Sequence, residues 1–351
     1  MFLHYAMILG MFFLLTGCTQ KNPDSRMNTS QVYAEFALGT VCTVNLYDHS
    51  SEKVYNDIFS RLFEIENLMS INKADTDVDR INQNAGIKPV QVHQEVIELL
   101  EKARDYAELS GGAFDPTVGP LVRLWGIGSA DPQIPEQEAI QEALSLINWR
   151  DLVIDKEAGT AFLRRSNMML DLGAIAKGYA ADEAAKILSK AGVPGGIIDL
   201  GGNIVAYKNK KESNGEYTGF WRIGLQNPLE DRGTYIGILE VQHKSIVTSG
   251  IYERYAEING TRYHHILSTA NGYPVDNDLL SVTIIADASM DADALSTAVF
   301  ALGYEKGRTL IESLDRVEGV FVFADKGIRL TQGAKSMFRL HDAASYCLLT
   351  D

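Results

Sequence analysis

Apolar residues recur at helical spacing in several parts of the chain. From residue 51 to 70, one apolar position falls every three or four residues: Val54, Ile58, Leu62, Ile65 and Met69. This spacing is typical of an α-helix with one buried face, and Ser50 or Ser51 can cap it. The same reasoning predicts helices at 95–110, ending at a Gly-Gly pair, and at 135–147, 174–190, 290–302 and from 305 onward.

Short segments rich in β-branched and aromatic residues predict strands between these helices. They cover residues 32–47, 152–155, 161–164, 168–171, 196–206, 221–225, 235–241, 252–258, 263–267 and 281–286, with a closing hairpin at 320–323 and 328–330. The strands cluster late and follow one another like hairpins. This order favours an α+β fold, with mixed or antiparallel sheets flanked by helices, over a doubly wound parallel sheet.

The N-terminus predicts an exported, lipid-bearing protein. Residues 6–15 form an apolar run that is too short to span a bilayer but has the length of a signal-peptide core. The run ends in Leu-Thr-Gly followed by Cys18, which resembles the bacterial lipobox, where the cysteine is acylated. The predicted organisation is a signal peptide at 1–17, the lipidated Cys18 and a flexible tether at 18–30, and a catalytic region at 31–351. We expect lipid anchoring to a bacterial membrane, facing the periplasm or the cell exterior.

One alternative for the N-terminus stays open at this stage. No Lys or Arg precedes the apolar run, although signal peptides usually carry positive charge there. The run could therefore remain as an uncleaved hydrophobic anchor. In both cases the body of the protein lies outside the cytoplasm.

Composition and charge narrow the class of protein. The hydrophobic fraction of 46% is that of a globular chain with a real core, and the formal net charge is −14. A nucleic-acid partner is not expected, because phosphate binding needs a clustered basic surface. The three cysteines show no CxxC spacing, which disfavours a zinc or thiol-redox site. Cys42 alternates with apolar neighbours and is predicted to face a core; the sequence leaves a Cys42–Cys347 disulfide undecided.

Four segments carry candidate chemistry. In the first, residues 171–179, an Asp precedes a turn and a helix start, where free amides and the helix dipole favour anions. Lys177 could neutralise a phosphate there, and Asp171 could hold a bridging cation; an ordinary capping Asp and a solvated Lys are the plain alternative. In the second, Asp293 and Thr297 are one helical turn apart, so their oxygens share a face that suits Mg²⁺. The plain alternative is a helix start capped by Asp291.

The third segment, residues 264–274, places two histidines before a Gly/Pro turn. One of them could act as a general base, and since neighbours on a strand point to opposite faces, we expect one histidine inside and one outside. The fourth segment, residues 111–120, puts Phe114 and Asp115 in a tight loop. A Gly-rich run at 195–203 is predicted to serve close backbone packing.

Together and in this order, these segments resemble the FAD:protein FMN transferases, the ApbE-type flavin transferases. The resemblance covers nearly all of the chain beyond the tether. It runs through residues 38–40, 68–70, 113–117, 171–179, 199–203, 245–252, 265–266 and 292–297. It implies cleavage of the FAD pyrophosphate, transfer of FMN to a Thr or Ser hydroxyl of an exported acceptor protein, and release of AMP.

The resemblance also implies roles for individual residues. It places Mg²⁺ on the backbone carbonyl of Ala174 and on Asp293 and Thr297. It places FAD against nine residues: Leu38, Asn72, Ala113, Phe114, Asp115, Asp171, Lys177, His265 and Ile266. The expected catalytic residues are His265, Asp171 and Lys177, with His265 as the base for the acceptor hydroxyl and Asp171 as the alternative base.

Two departures from the family pattern carry consequences. Ser268 and Thr269 replace the usual Asp-Pro after His265, so the sequence does not fix that loop. Asn72 stands where many relatives have Tyr, which removes a possible stacking contact with FAD. Two further functions also stay open: hydrolysis of FAD to free FMN and AMP, and flavin binding by a lipoprotein without turnover.

Overall fold

The structure is a computed structural model that describes residues 31–47 and 51–350. The predicted signal peptide, Cys18, the tether and Ser50 lie outside these described residues. Within them, no helix is both long enough and apolar enough to cross a membrane.

The described residues form strands throughout the chain. In chain order they are β1 (Gln31–Ala37), β2 (Thr40–Leu46), β3 (Val90–Gln91), β4 (Leu152–Asp155), β5 (Thr160–Leu163), β6 (Gly196–Leu200), β7 (Asn203–Tyr207), β8 (Trp221–Gln226), β9 (Tyr235–Val241), β10 (Lys244–Gly250), β11 (Tyr255–Ile258), β12 (Thr261–His264), β13 (Leu279–Ala286), β14 (Glu318–Phe323), β15 (Gly327–Leu330), β16 (Phe338–Leu340) and β17 (Cys347–Leu348).

Helices lie between these strands. They are α1 (Glu52–Met69), α2 (Asp77–Gln83), α3 (Gln94–Leu109), α4 (Gly119–Trp125), α5 (Gln137–Ser145), α6 (Ala176–Lys190), α7 (Ser289–Leu302), α8 (Tyr304–Glu312) and α9 (Ala334–Met337). A single 3₁₀ turn covers Trp149–Asp151.

A large mixed sheet organises the fold. Its strand order is β1-β2-β6-β7-β10-β13-β14-β15-β17, and its pairs are antiparallel except for β15 with β17. Smaller sheets have the orders β16-β9-β8 and β3-β5-β4, and β11 pairs with β12 as a hairpin. The α+β prediction, with mixed and antiparallel sheets flanked by helices, is confirmed.

The cores lie on the two faces of the large sheet. On one face, α1, α3 and α6 bury a cluster that includes Tyr55, Leu62 and Leu200, and α7 packs against β10 and β13. On the other face, the sheet of β8, β9 and β16 packs its own apolar cluster. Cys42 is buried in the first core, as predicted, and Cys347 is exposed; both are free thiols, so no disulfide joins them.

Three predicted strands differ from the structure. Residues 196–206 form the β6–β7 hairpin rather than one strand. Residues 32–47 form a hairpin rather than one strand, because Leu38 and Gly39 both adopt positive φ (54° and 70°) and turn the chain between β1 and β2. Residues 168–171 do not form a strand, and only an isolated parallel bridge joins Met169 to Val118. The element predictions also omitted α2, α4, α9, β3, β10, β16 and β17.

Candidate active site

Three of the candidate segments meet in space through two hydrogen bonds. The amide of Asp171 donates to the carbonyl of Pro116 at 2.8 Å, which fastens the first segment to the loop at 111–120. The Thr269 hydroxyl donates to the carbonyl of Gly112 at 2.7 Å, which ties the loop after His265 to the same place. Thr269 belongs to the Ser268-Thr269 pair that departs from the family pattern. Its hydrogen bond fixes the loop that the sequence did not define.

The starts of α6 and α7 cross beside this junction. Lys177 Nζ lies 3.3 Å from Asp293 Oδ1, and the Gly178 amide donates to Asp293 Oδ2 at 2.9 Å. The Asp293 side chain is 4% exposed and that of Lys177 is 20% exposed, so water screens this pair less than a surface ion pair. The first and second predicted segments thus form one charged centre. Lys177 is not merely a solvated helix residue.

The residues predicted to hold Mg²⁺ fit an oxygen-seeking ion. Thr297 lies one turn after Asp293 on α7, with its hydroxyl 3.5 Å from that of Ser249. Gly178 gives its amide to Asp293, and no hydrogen bond to the carbonyl of Ala174 is found among the described residues. One carboxylate, one hydroxyl and one unpaired carbonyl are hard oxygen donors that suit Mg²⁺, whose remaining positions are usually taken by water and phosphate. No cluster of three or more His, Cys, Asp or Glu side chains suited to a metal occurs in the described residues.

The position of Asp171 before α6 suggested that it caps this helix, but it does not. The helix begins at Ala176, five residues later, and its N-cap residue is Ile175. Asp171 Oδ1 instead accepts from the Gly173 amide at 2.7 Å. Burial raises the pKa of Asp171, while the charges of Arg254 and Lys177 act in the opposite direction.

The two adjacent histidines differ as predicted, one inside and one partly exposed. His264 is buried, its Nε2 is 2.9 Å from the carbonyl of Val275, and its Nδ1 accepts from the Ile266 amide at 3.3 Å. Both of its nitrogens are engaged, so His264 is structural. His265 Nδ1 is 3.0 Å from the carbonyl of Arg254, which also accepts from the His265 amide. Burial lowers the pKa of His265 to about 4, so its ring is neutral near pH 7.

The loop at 113–115 divides into buried and accessible parts. Phe114 and Asp115 are 4% and 8% exposed, whereas Ala113 is half-buried. Asp115 Oδ1 accepts from the amide and hydroxyl of Thr117, and Oδ2 accepts from the Trp149 amide. The carboxylate of Asp115 thus holds the loop together. Its predicted contact with FAD stays a prediction.

The remaining predicted FAD residues occupy three different settings. Leu38 lies at the β1–β2 turn, in a left-handed conformation that is uncommon for a residue other than glycine and is often found at functional sites. Ile266 is 4% exposed. Asn72 is exposed after α1, and its amide donates to Ser70 Oγ at 3.1 Å. Among the described residues, no hydrogen bond joins Asn72 to the charged centre.

Sequence reasoning missed several residues that position this site. Asn82 brackets Leu170 with two hydrogen bonds, of 3.1 and 2.7 Å, and so holds the chain that leads to Asp171. Arg254 supplies the carbonyl that holds His265. Asp182 accepts from the first two amides of α7. The segment 245–252, which resembles the family, ends two residues before Arg254. No local sequence pattern marks Asn82 or Asp182.

A cavity of about 840 Å³ lies away from this centre. Residues of α3, α6 and β7 line it, among them Leu99, Tyr179, Asp182 and Tyr207. None of the residues predicted to bind FAD or Mg²⁺ lines this cavity, so the candidate site rests on the helix crossing and its loops rather than on this cavity.

Comparison with known proteins identifies the family. The family model described as "ApbE family" matches residues 38–321. A protein from Treponema pallidum (strain Nichols), named FAD:protein FMN transferase, is 36% identical over 323 residues, which cover 88% of this chain and 89% of the relative. One of the same name from Klebsiella pneumoniae (strain 342) is 36% identical over 314 residues, covering 89% and 96%.

Solved structures agree with this assignment. The crystal structure of the ApbE protein from Thermotoga maritima superposes with a TM-score of 0.79 at 31% identity, covering 89% of this chain and all of that one. The flavin transferase ApbE from Vibrio cholerae gives a TM-score of 0.77 at 26% identity, covering 88% and 100%. The fold is thus that of the ApbE structures, and the chain is a transferase enzyme. The chain belongs to the ApbE family.

Proposed function

We propose that this protein transfers FMN from FAD to a Thr or Ser hydroxyl of an exported acceptor protein, in a reaction that requires Mg²⁺ and releases AMP. The observation that carries the proposal is the contact of Lys177 with Asp293, which lies one helical turn before Thr297 on α7. A protein that only stored flavin would not need a lysine and metal ligands assembled together. The names of the relatives support FAD and a protein as the two substrates.

The reaction exchanges one phosphorus–oxygen bond for another. The acceptor oxygen bonds to the phosphorus of the FMN half, the bond from that phosphorus to the AMP half breaks, and AMP leaves with the bridging oxygen. Such a transfer depends mainly on positioning and on neutralising charge. Mg²⁺ held by Ala174, Asp293 and Thr297 would neutralise phosphate charge, and Lys177 adds a positive charge beside it.

The base proposed for the acceptor hydroxyl is His265. A carbonyl can only accept, so His265 Nδ1 must carry the hydrogen that it shares with Arg254. The other ring nitrogen, Nε2, is then unprotonated. Because burial lowers the pKa of His265 to about 4, Nε2 stays a base at neutral pH. A base in this position typically contributes about 10²–10⁴-fold. Asp171 remains the alternative base.

A paired assay tests the function. The protein is incubated with FAD and Mg²⁺, with and without an acceptor protein; AMP is measured by chromatography and bound flavin by in-gel fluorescence. With the acceptor present we expect fluorescent acceptor together with AMP, and without it only a smaller release of AMP. AMP without labelled acceptor would identify an FAD hydrolase, and the absence of AMP would identify a flavin-binding protein. Each of these results would contradict the transferase proposal.

We further propose that Cys18 carries lipid and anchors the enzyme to a bacterial membrane, on the periplasmic or outer side. The candidate site uses residues from 38 onward, so the anchor and the catalyst are separable. Cys18→Ala should release the protein from the membrane fraction with unchanged specific activity. A variant that still carries labelled fatty acid would contradict the assignment.

A further inference from the structure

Helix α7 carries Asp293 and Thr297 but has no capping residue of its own. A helix start leaves amides without partners, and Ser, Thr, Asp or Asn usually accept from them. The N-cap of α7 is Ala288, which has no such side chain. Asp182 of α6 supplies the cap instead: the Ser289 amide donates to Oδ1 at 2.7 Å, and the Met290 amide donates to Oδ2 at 2.9 Å.

The reverse arrangement holds for α6. Its N-cap is Ile175, which likewise cannot accept a hydrogen bond through its side chain. The Gly178 amide, in its first turn, donates to Asp293 of α7. Each helix start is thus capped by an aspartate of the other helix: Asp293 lies about one turn into α7, and Asp182 lies nearly two turns into α6.

The two helix starts also lie in direct backbone contact. A Cβ added to Gly178 would lie 2.3 Å from the Ser289 carbonyl oxygen, so any side chain at residue 178 would force the helices apart. The separation of Lys177 from Asp293 therefore depends on the mutual caps and on this close approach.

We propose that Asp182 is a positioning residue for the phosphate and Mg²⁺ site, because it fixes the start of α7 and hence the placement of Asp293 and Thr297 against Lys177. This inference rests on the proposed function. Asp182 belongs to the support of the metal ligands rather than to the ligands themselves. Losing such a support typically costs metal affinity about 10- to 100-fold.

A matched control lies at the same helix start. Asp287 also places a carboxylate near the first turn of α7. Its carboxylate accepts from Lys244 Nζ at 2.7 Å and forms an ion pair with Arg316 instead of accepting from α7 amides. Both carboxylates line the cavity of about 840 Å³, so shortening either leaves no new sealed void. If only the negative charge near α7 mattered, removing the charge of Asp182 or that of Asp287 would have the same result.

The test compares Asp182→Ala, Asp182→Asn and Asp287→Asn in the full chain. For each we would measure the Mg²⁺ concentration that gives half-maximal AMP release, and the shift of Tm that Mg²⁺ causes without FAD. For Asp182→Ala we expect the half-maximal concentration to rise about 10- to 100-fold, with a smaller Mg²⁺-dependent shift of Tm. For Asp182→Asn, both values should fall between those of Asp182→Ala and the wild type, because the asparagine amide offers one acceptor oxygen. Asp287→Asn should match the wild type.

An unchanged Mg²⁺ requirement in Asp182→Ala would overturn the proposal, even if its Tm fell, because Asp182 would then only stabilise the fold. Amide hydrogen exchange of residues 289–297 without Mg²⁺ or FAD separates this outcome from a failure of the proposed function. If the wild type neither releases AMP nor responds to Mg²⁺, the function is wrong. In that case, faster amide exchange in Asp182→Ala than in the wild type and Asp287→Asn would still support the role of Asp182 in positioning α7. Equal exchange in all variants would overturn that role.

Discussion

Asp115 and Asp293 are both buried aspartates in segments predicted to be functional, yet their surroundings differ. Asp115 is 8% exposed and accepts from three donors, all within Thr117 and Trp149. Burial raises the pKa of Asp115, and no cation forms an ion pair with it among the described residues. Asp293 is 3% exposed and faces both Lys177 and the Gly178 amide.

The difference separates a carboxylate that holds a loop from one that belongs to a charged centre. Every hydrogen bond of Asp115 closes its own loop or joins it to the neighbouring turn. Asp293 joins two helices and meets a cation, Lys177. Burial alone therefore does not identify a reactive carboxylate. A cation among the partners of the carboxylate is the better indicator.

The largest effect is expected from Asp293→Asn. Asparagine keeps an oxygen for the Gly178 amide but loses the charge that would bind Mg²⁺ and pair with Lys177. We expect Mg²⁺-dependent AMP release to be abolished, with the fold preserved by calorimetry. Asp291→Asn is the control, since Asp291 lies on the same helix but accepts from the Tyr106 hydroxyl at 2.6 Å. Normal Mg²⁺-dependent turnover in Asp293→Asn would remove Asp293 from the metal site.

Lys177→Met should lower turnover about 10²–10³-fold at saturating FAD, the usual cost of losing one charged contact with a transition state. The apolar stem is retained, so stability should change little. Lys186→Met on the same helix is the control, because Lys186 pairs only with Glu183 at 2.7 Å. Equal turnover in the two variants would show that Lys177 serves only to balance the charge of Asp293.

Asp115→Ala should act on stability instead. It leaves the Thr117 and Trp149 amides without their acceptor in a buried loop, which we expect to cost about 3 kcal/mol of unfolding free energy. Asp131→Ala, in an exposed loop, should stay within about 0.5 kcal/mol. Denaturant unfolding measures both values. If Asp115→Ala is as stable as the wild type but needs more FAD for half-maximal turnover, then Asp115 contacts FAD rather than holding the loop.

Local periodicity predicted the long elements well. The helix predicted at 51–70 is Glu52–Met69, and the one predicted at 95–110 is Gln94–Leu109. The β1–β2 hairpin was missed because β-branched residues continue on both sides of Leu38, a residue type that does not mark a turn. Residues 168–171 were assigned to a strand because their apolar run matches one, whereas contacts from Asn82 and Pro116 hold them outside any sheet.

The two residues that meet in the charged centre could be named from the sequence, but their supports could not. Lys177 and Asp293 lie at helix starts that the sequence marks. Asp182 caps a helix that begins 107 residues further along the chain, and no local pattern records such a pairing. A mutual cap between distant helices becomes visible only when both helix starts are placed in space.

The smallest effect is expected at Asn72, which is exposed and lacks both kinds of environment described for Asp115 and Asp293. A tyrosine there could stack on an aromatic ring of FAD, a contact of about 1 kcal/mol beyond area burial. Asn72→Tyr should therefore tighten FAD binding about fivefold and reduce AMP release when no acceptor is present, because FAD would be held more firmly. Asn72→Leu controls for added apolar area without an aromatic ring that could stack. Fluorescence titration of FAD and acceptor-free AMP release measure both effects. Equal values in the wild type and Asn72→Tyr would show that residue 72 is only part of the turn after α1.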